Sequence, residues 1–273
     1  MQNHSTSFVK LFKKVLINRS LLFRLSSREI VGRYKGSFLG LVWSLLNPIF
    51  MLFVFAFVFG KVIQAKWGQS PIEGQLDFSV ALFAGLLIYF FFSEVIGASV
   101  NLILANSNYV KKVVFPLEIL PIVNLISALF HLIISFIVLM VLMAFSNWQF
   151  SYEILYVPII LLPFLIMILG LSWFLSALGV YLRDVGQIIP PVLTAMMFLS
   201  PIFYPLSNVS KEYLWLYQIN PLTIIIEEMR SVLLYSNSPD FYQLGIYFVI
   251  SIVVAKLGFS FFQKTRKGFA DVL

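Results

Sequence analysis

Three ionisable side chains, Glu94, His131 and Lys256, sit inside otherwise uncharged apolar runs. Each is costly in hydrocarbon, so each carries a functional expectation by default. Glu94 is expected to line an aqueous path, His131 to hydrogen-bond across helices, and Lys256, close to the basic tail, to snorkel to the interface. The set is thin for proton- or sodium-coupled transport, which draws on several buried carboxylates or broken-helix ion sites. Metal and thiol chemistry have less support still, because the chain has no cysteine and its two histidines, His4 and His131, lack ligand spacing. A glycan transferase would need acidic and basic groups clustered on one loop, and no loop carries them.

Aromatic residues make up 17% of the chain, with 29 Phe. Phe50, Phe53, Phe55, Phe57 and Phe59 crowd one apolar run, and Phe198, Phe203 and Tyr204 another. Most such rings serve as interfacial belt and lipid-facing bulk. Others would line a passage, since aromatic faces pack on the apolar faces of sugar rings and let a hydrophilic polymer slide without tight binding.

The elements that must carry these groups are membrane spans. Hydrophobic residues reach 60% and charged residues only 11%, against roughly 45–50% and roughly 25% in soluble domains. This excludes a soluble enzyme, a DNA-binding domain or a disordered chain. Six runs read as spans, at about 39–60, 78–105, 119–145, 154–182, 185–210 and 241–262. The first, at about 1.5 Å per residue, reaches about 33 Å and crosses a bilayer core. The fifth is interrupted by Pro190, Pro191, Pro201 and Pro205. Fourteen of the 19 Lys and Arg fall before the first span, in the even-numbered loops and in the tail. Both termini are therefore expected to be cytoplasmic. No cleavable leader is expected, because the basic head and first run are too long for one.

Three segments lie outside the spans. Phe8, Leu11, Phe12, Val15 and Leu16 fall at helical spacing opposite Lys10, Lys13 and Lys14, which predicts an amphipathic helix in the headgroup region. It would be either a polybasic lipid anchor or a docking surface. Residues 1–38 thus form a cytoplasmic interface segment, and 39–273 a single transmembrane domain. The loop Asn106–Pro116 is read either as a grip for a soluble partner or as an ordinary cytoplasmic turn whose lysines enforce topology, and Arg183 with Asp184 is expected to be no more than a headgroup pair. On the outer side, Asn220 and Pro221 read as a cap and first helical residue. Leu222, Ile225, Ile226, Met229 and Leu233 then share one face, with Glu227, Glu228, Arg230 and Ser231 on the other. Glu227 and Arg230 are spaced for a weak i, i+3 pair. With Tyr213–Ile219 this gives two short re-entrant helices at about 212–235, which either cap a pore or float at the interface.

RYKGSFLGLVWSLLNP (33–48), NSNYVKKVVFPLEILP (106–121), LRDVGQI (182–188), SPIFY (200–204) and NPLTIIIEEMR (220–230) occur in that order. On these strings the chain resembles the membrane subunit of polysaccharide-exporting ABC transporters, the permeases of O-antigen, teichoic acid and capsule export. The resemblance implies a homodimer in a bacterial inner membrane, bound to two copies of a cytoplasmic ATPase that holds ATP and Mg. This chain would carry no cofactor and no catalytic residue. The absence of a G-x-x-x-x-G-K-S/T string agrees with that division. The substrate would be a glycan on a polyprenyl diphosphate lipid, moved outward. Coupling to the ATPase falls to Arg28, Glu29, Arg33, Tyr34 and Lys35, to Asn108, Tyr109, Lys111 and Lys112, and to Arg183 and Asp184. Trp43, Phe50, Phe57, Phe198, Phe203 and Tyr204 would line the path, and Tyr213, Trp215, Asn220, Pro221, Glu227 and Arg230 would form the external gate. Glu118 departs from the pattern, because many relatives carry a basic residue there, so charge pairing with the ATPase is expected to differ locally. Two alternatives stay open: a stand-alone carrier or channel using Glu94 and His131, and an ABC permease for a small lipid or drug.

Overall fold

The computed structural model describes residues 8–63, 75–112, 115–145 and 151–273, with the backbone alone for 8–12, 75–77 and 112. His4 lies outside the described residues, as do the side chains of Phe8, Lys10, Leu11, Phe12 and Lys112. All regular structure among them is helical. Helices α1 (Phe8–Ile17) and α2 (Arg19–Tyr34) precede α3 (Trp43–Phe55), which is entered through a 3-10 turn at Gly40–Val42. A π-helical stretch, Ala56–Val62, prolongs α3, and the Ile63 N–H reaches five residues back to the Val58 carbonyl at 2.8 Å. Next come α4 (Gln75–Ser99), α5 (Leu102–Ala105), α6 (Ser107–Lys112), α7 (Leu120–Phe145), α8 (Val157–Tyr181) and α9 (Val185–Phe198). The chain ends with α10 (Leu214–Ile219), α11 (Pro221–Leu234), α12 (Phe241–Thr265) and α13 (Phe269–Val272).

Among the described residues, five helical segments are long and apolar enough to cross a membrane: Gly40–Val62, Phe78–Ser99, Leu117–Phe145, Tyr152–Tyr181 and Phe241–Val272. The run expected at 185–210 behaves differently. Pro190 and Pro191 stay inside α9, but the helix stops after 14 residues at Phe198, and at about 1.5 Å each these reach only about 21 Å. The chain then turns through Ser200–Pro205, where Pro201 and Pro205 cannot supply the N–H groups that continue a helix. The second run is also shorter than expected, because a turn at Val100–Asn101 separates α4 from α5.

The central helix is α4. Its apolar window is 78% buried, against 6% for that of α3, so α4 is the core and α3 a boundary. Packed against α4 are α7, α8, α9, α11 and the π-helical end of α3. On the far side α8 pairs with α12, and small residues allow their backbones to touch. A Cβ on Gly258 would lie 2.0 Å from the Gly170 carbonyl oxygen, and one on Gly170 would lie 2.6 Å from the Ala255 backbone. Close backbone approach through small residues is how spanning helices gain packing in lipid, where the hydrophobic effect gives no help. A second apolar cluster gathers Leu22 and Leu25 of α2, Phe115, Ile119, Leu120 and Val123 before and within α7, Trp173 of α8, and Phe262 and Phe269 of the tail. It joins both ends of the chain to the loop that precedes α7.

Candidate functional site

Four polar side chains from three helices meet beside α3. Arg33 and Tyr34 occupy the last turn of α2, Glu94 lies on α4 and His131 on α7. Arg33 Nη1 donates to Glu94 Oε1, and His131 Nδ1 lies 2.8 Å from the same oxygen. The Tyr34 hydroxyl is 3.0 Å from His131 Nε2, and Arg33 Nη1 is 3.2 Å from Nδ1. A ring protonated on Nδ1 donates to Glu94 while Nε2 accepts from Tyr34, and Arg33 Nη1, itself a donor, then neighbours Nδ1 without bonding to it, both meeting at the Glu94 oxygen. Burial pushes the Tyr34 hydroxyl above its ordinary value, so it stays a donor. The group lines a cavity of about 640 Å³, together with Trp43, Asn47 and Ser135. Glu94 and His131, far apart in sequence, are thus joined by two residues expected at the ATPase.

A second polar group organises the segment before α7. Glu118 is fully buried, taking Lys14 Nζ at 2.7 Å on Oε1 and Arg266 Nη1 at 2.5 Å on Oε2. Arg266 Nη2 also donates to the Phe115 carbonyl at 2.7 Å, and the Trp173 indole donates to the Glu118 carbonyl at 3.0 Å. Glu118 therefore ties α1, the loop and the tail together inside the subunit. Nearby, the Tyr109 ring stacks on Phe115 at 4.4 Å, the Arg28 guanidinium lies 6.0 Å above Tyr109, and Lys111 Nζ donates to the Leu273 carbonyl at 2.5 Å. Glu29, Lys35, Asn108, Arg183 and Asp184, also expected to couple to the ATPase, are exposed. In α1, Lys13 is exposed, Lys14 reaches inward to Glu118 and Val15 packs inward, while Leu16, expected on the apolar face, is 54% exposed.

On the opposite side α10 and α11 form a packed hairpin. Asn220 caps α11, accepting from the Leu222 N–H at 2.9 Å and donating to Leu199 O and Ser200 Oγ. The expected apolar face, Leu222, Ile225, Ile226, Met229 and Leu233, is buried. Arg230, expected on the polar face, is only 2% exposed. The reason is hydrogen bonding, because its guanidinium donates to three backbone carbonyls: Ala81 at 2.9 Å, Ile202 at 2.8 Å and Pro201. Glu227 adds a longer contact of 3.3 Å. Burial lowers the Arg230 pKa to about 10, which keeps it charged at neutral pH, and pushes the Glu227 carboxyl up. Tyr204 and Tyr217 pair through their hydroxyls at 2.5 Å, while Tyr213 and Trp215 are exposed.

Of the six aromatics expected along a path, Trp43, Phe50, Phe57 and Phe198 are exposed, on α3, its π-helical extension and α9. Phe203 packs inward between Phe59 at 5.4 Å and Phe198 at 5.8 Å, and Tyr204 is held by its hydroxyl pair. Lys256 is exposed on α12. The Glu118 clasp and the buried carbonyl bonds of Arg230 had no sequence signal beyond a single charge within an apolar setting.

Residues 20–234 match the family described as ABC-2 type transporter. The O-antigen export system permease protein RfbA of Myxococcus xanthus is 29% identical over 266 residues, covering 96% of this chain and 99% of that protein. The O-antigen export system permease protein RfbA of Klebsiella pneumoniae is 25% identical, covering 93% and 95%. The polysialic acid transport protein KpsM of Escherichia coli is 25% identical, covering 86% and 90%. Such permeases leave ATP hydrolysis to a separate subunit, and the chain belongs to the ABC-2 type transporter family as a multi-pass membrane permease subunit.

Proposed function

We propose that this chain is the permease of an ATP-driven exporter that moves a polyprenyl-diphosphate-linked, O-antigen-like polysaccharide outward across a bacterial inner membrane. It works as a homodimer with two cytoplasmic ATPase subunits, which supply ATP and Mg. The observation that carries the reading is the exposure of the first span: Gly40–Val62 is a 23-residue apolar stretch only 6% buried, and Phe198 at the end of α9 reaches it through Phe203, which packs on Phe55. Trp43, Phe50, Phe57 and Phe198 on this face suit a second copy and a polymer path between the copies. The basic side, with α1, α2, the Glu118 clasp and both termini, is cytoplasmic, and α9 with the turn after it forms the fifth, interrupted span of six. Residues 1–38 serve as the interface segment. Arg28, Tyr109 and Lys111 couple it to the ATPase, and the α10–α11 hairpin gates the outer mouth. The test is export in inverted vesicles carrying the chain and its ATPase. Lipid-linked glycan should reach the lumen only with ATP, and ATP-independent arrival would overturn the reading.

A stand-alone carrier is the second reading, favoured by the 2.8 Å contact between Glu94 and His131. It requires flux through the chain alone in ATP-free liposomes, abolished by Glu94→Gln.

A further inference from the structure

We propose that the cavity between α2, α3, α4 and α7 receives the phosphate-bearing head of the lipid-linked substrate, with Arg33 and His131 as its donors. Glu94 is then the internal anion that occupies this position until the head displaces it. The inference rests on the export reading above and assigns a substrate contact to residues otherwise placed with ATPase coupling.

The geometry around one atom carries the argument. Glu94 Oε1 accepts from Arg33 of α2 and faces His131 Nδ1 of α7 at 2.8 Å. Two donors converging on one anionic oxygen is the arrangement that a phosphate oxygen takes, and a guanidinium is well suited to supply it. Tyr34, Asn47 and Ser135 place further polar groups on the same wall. The group is not sealed in the core, because the Arg33 and Glu94 side chains keep 37% and 20% of their exposure. The volume of about 640 Å³ falls within the range of about 300–1,000 Å³ used for small-molecule sites.

Depth and polarity point to an amphiphile. Glu94 follows the outer end of its span, Phe78, by sixteen residues, and His131 precedes Phe145 by fourteen. At about 1.5 Å per residue these are about 24 and 21 Å from the outer ends. In a hydrocarbon core about 30 Å thick, the cluster lies in the cytoplasmic third, within reach of headgroups. Beyond the cavity α3 presents Leu45, Ile49, Phe50 and Phe53, all exposed, which gives a hydrocarbon tail an apolar surface. With Glu94 in place, the formal charges of Arg33 and Glu94 cancel. An arriving phosphate must therefore compete with a carboxylate already bound, and the contact between α2 and α4 opens when it succeeds.

The test uses the full chain in lipid nanodiscs and measures binding of a labelled polyprenyl diphosphate. Glu94→Gln removes the competing anion and should tighten binding about tenfold, while Arg33→Gln should weaken it about tenfold. A gain of affinity cannot come from misfolding, so the Glu94→Gln arm stands even if Arg33→Gln unfolds the site. Excess phosphatidylglycerol should displace little of the probe. Unchanged or weaker binding by Glu94→Gln overturns the proposal. Equal displacement by phosphatidylglycerol overturns the assignment to substrate and leaves a site for bulk lipid. ATP-dependent export that persists alongside either negative result would sink this site and leave the export reading standing.

Discussion

Arg230→Met removes the guanidinium that clamps the outer hairpin to the rest of the chain while keeping an apolar stem of similar reach. In the parent, one guanidinium binds the carbonyls of Ala81 on α4 and of Pro201 and Ile202 in the turn after α9. It thereby joins α11 to two other parts of the chain. Leaving a buried carbonyl unpaired costs about 1–3 kcal/mol. Three such losses would exceed the whole effect, because removing the buried cation also relieves its desolvation, so about 3–5 kcal/mol is the net expectation. For a chain of this size each kcal/mol moves the melting point by about 2–4 °C, which predicts a fall of about 6–20 °C. Intrinsic tryptophan fluorescence during heating in mild detergent reads it directly. Arg230→Lys should fall between parent and Met, since one ammonium cannot span three carbonyls. Glu227→Gln should change stability by under about 1 kcal/mol, because the pair is long at 3.3 Å and Glu227 is 39% exposed. A melting point for Arg230→Met within about 2 °C of the parent would refute the reasoning.

Other outcomes follow from the packing and the clasp. Gly258→Ala should destabilise by about 1–3 kcal/mol through overpacking against the Gly170 carbonyl. Gly245→Ala in the same helix meets nothing within 4 Å and should stabilise by about 0.5–1 kcal/mol, so the two melting shifts should have opposite signs. Glu118→Gln breaks a fully buried carboxylate bridge and should cost about 3–5 kcal/mol. It should also free the tail, read as faster proteolysis between Thr265 and Leu273. Replacing Tyr109 and Lys111 together by Ala should uncouple ATP hydrolysis from export while membrane insertion persists, and normal export in the double variant would remove both from the coupling role.

Long uncharged runs, the cap at Asn220–Pro221 and the apolar stripe of α11 could be read from the sequence because each is a local pattern. Helix length and one-face periodicity need no knowledge of the neighbours. The run at 185–210 could be read only as apolar. Its end at Phe198 depends on how Pro201 and the Arg230 guanidinium share the turn, and those residues are far apart in the chain. Arg230 itself was misplaced on the polar face because periodicity assigns a cation to solvent, whereas three carbonyls from distant segments make burial affordable. Glu118 could be read only as a single acid among apolar neighbours, and the structure turns it inward to Lys14 and Arg266. Glu94 and His131 were visible singly as intramembrane ionisable groups. Their link to Arg33 and Tyr34 depends on α2 packing along α7, which no short-range signal predicts.

In the proposed export function this chain works as half of a dimeric permease driven by a separate ATPase. Native mass spectrometry of the tagged chain, purified in mild detergent from its own membrane, tests it most directly. The expected result is a complex of two copies of this chain with two copies of a Walker-motif ATPase. Recovery of the chain alone, with crosslinking in the membrane also capturing no ATPase, would contradict it.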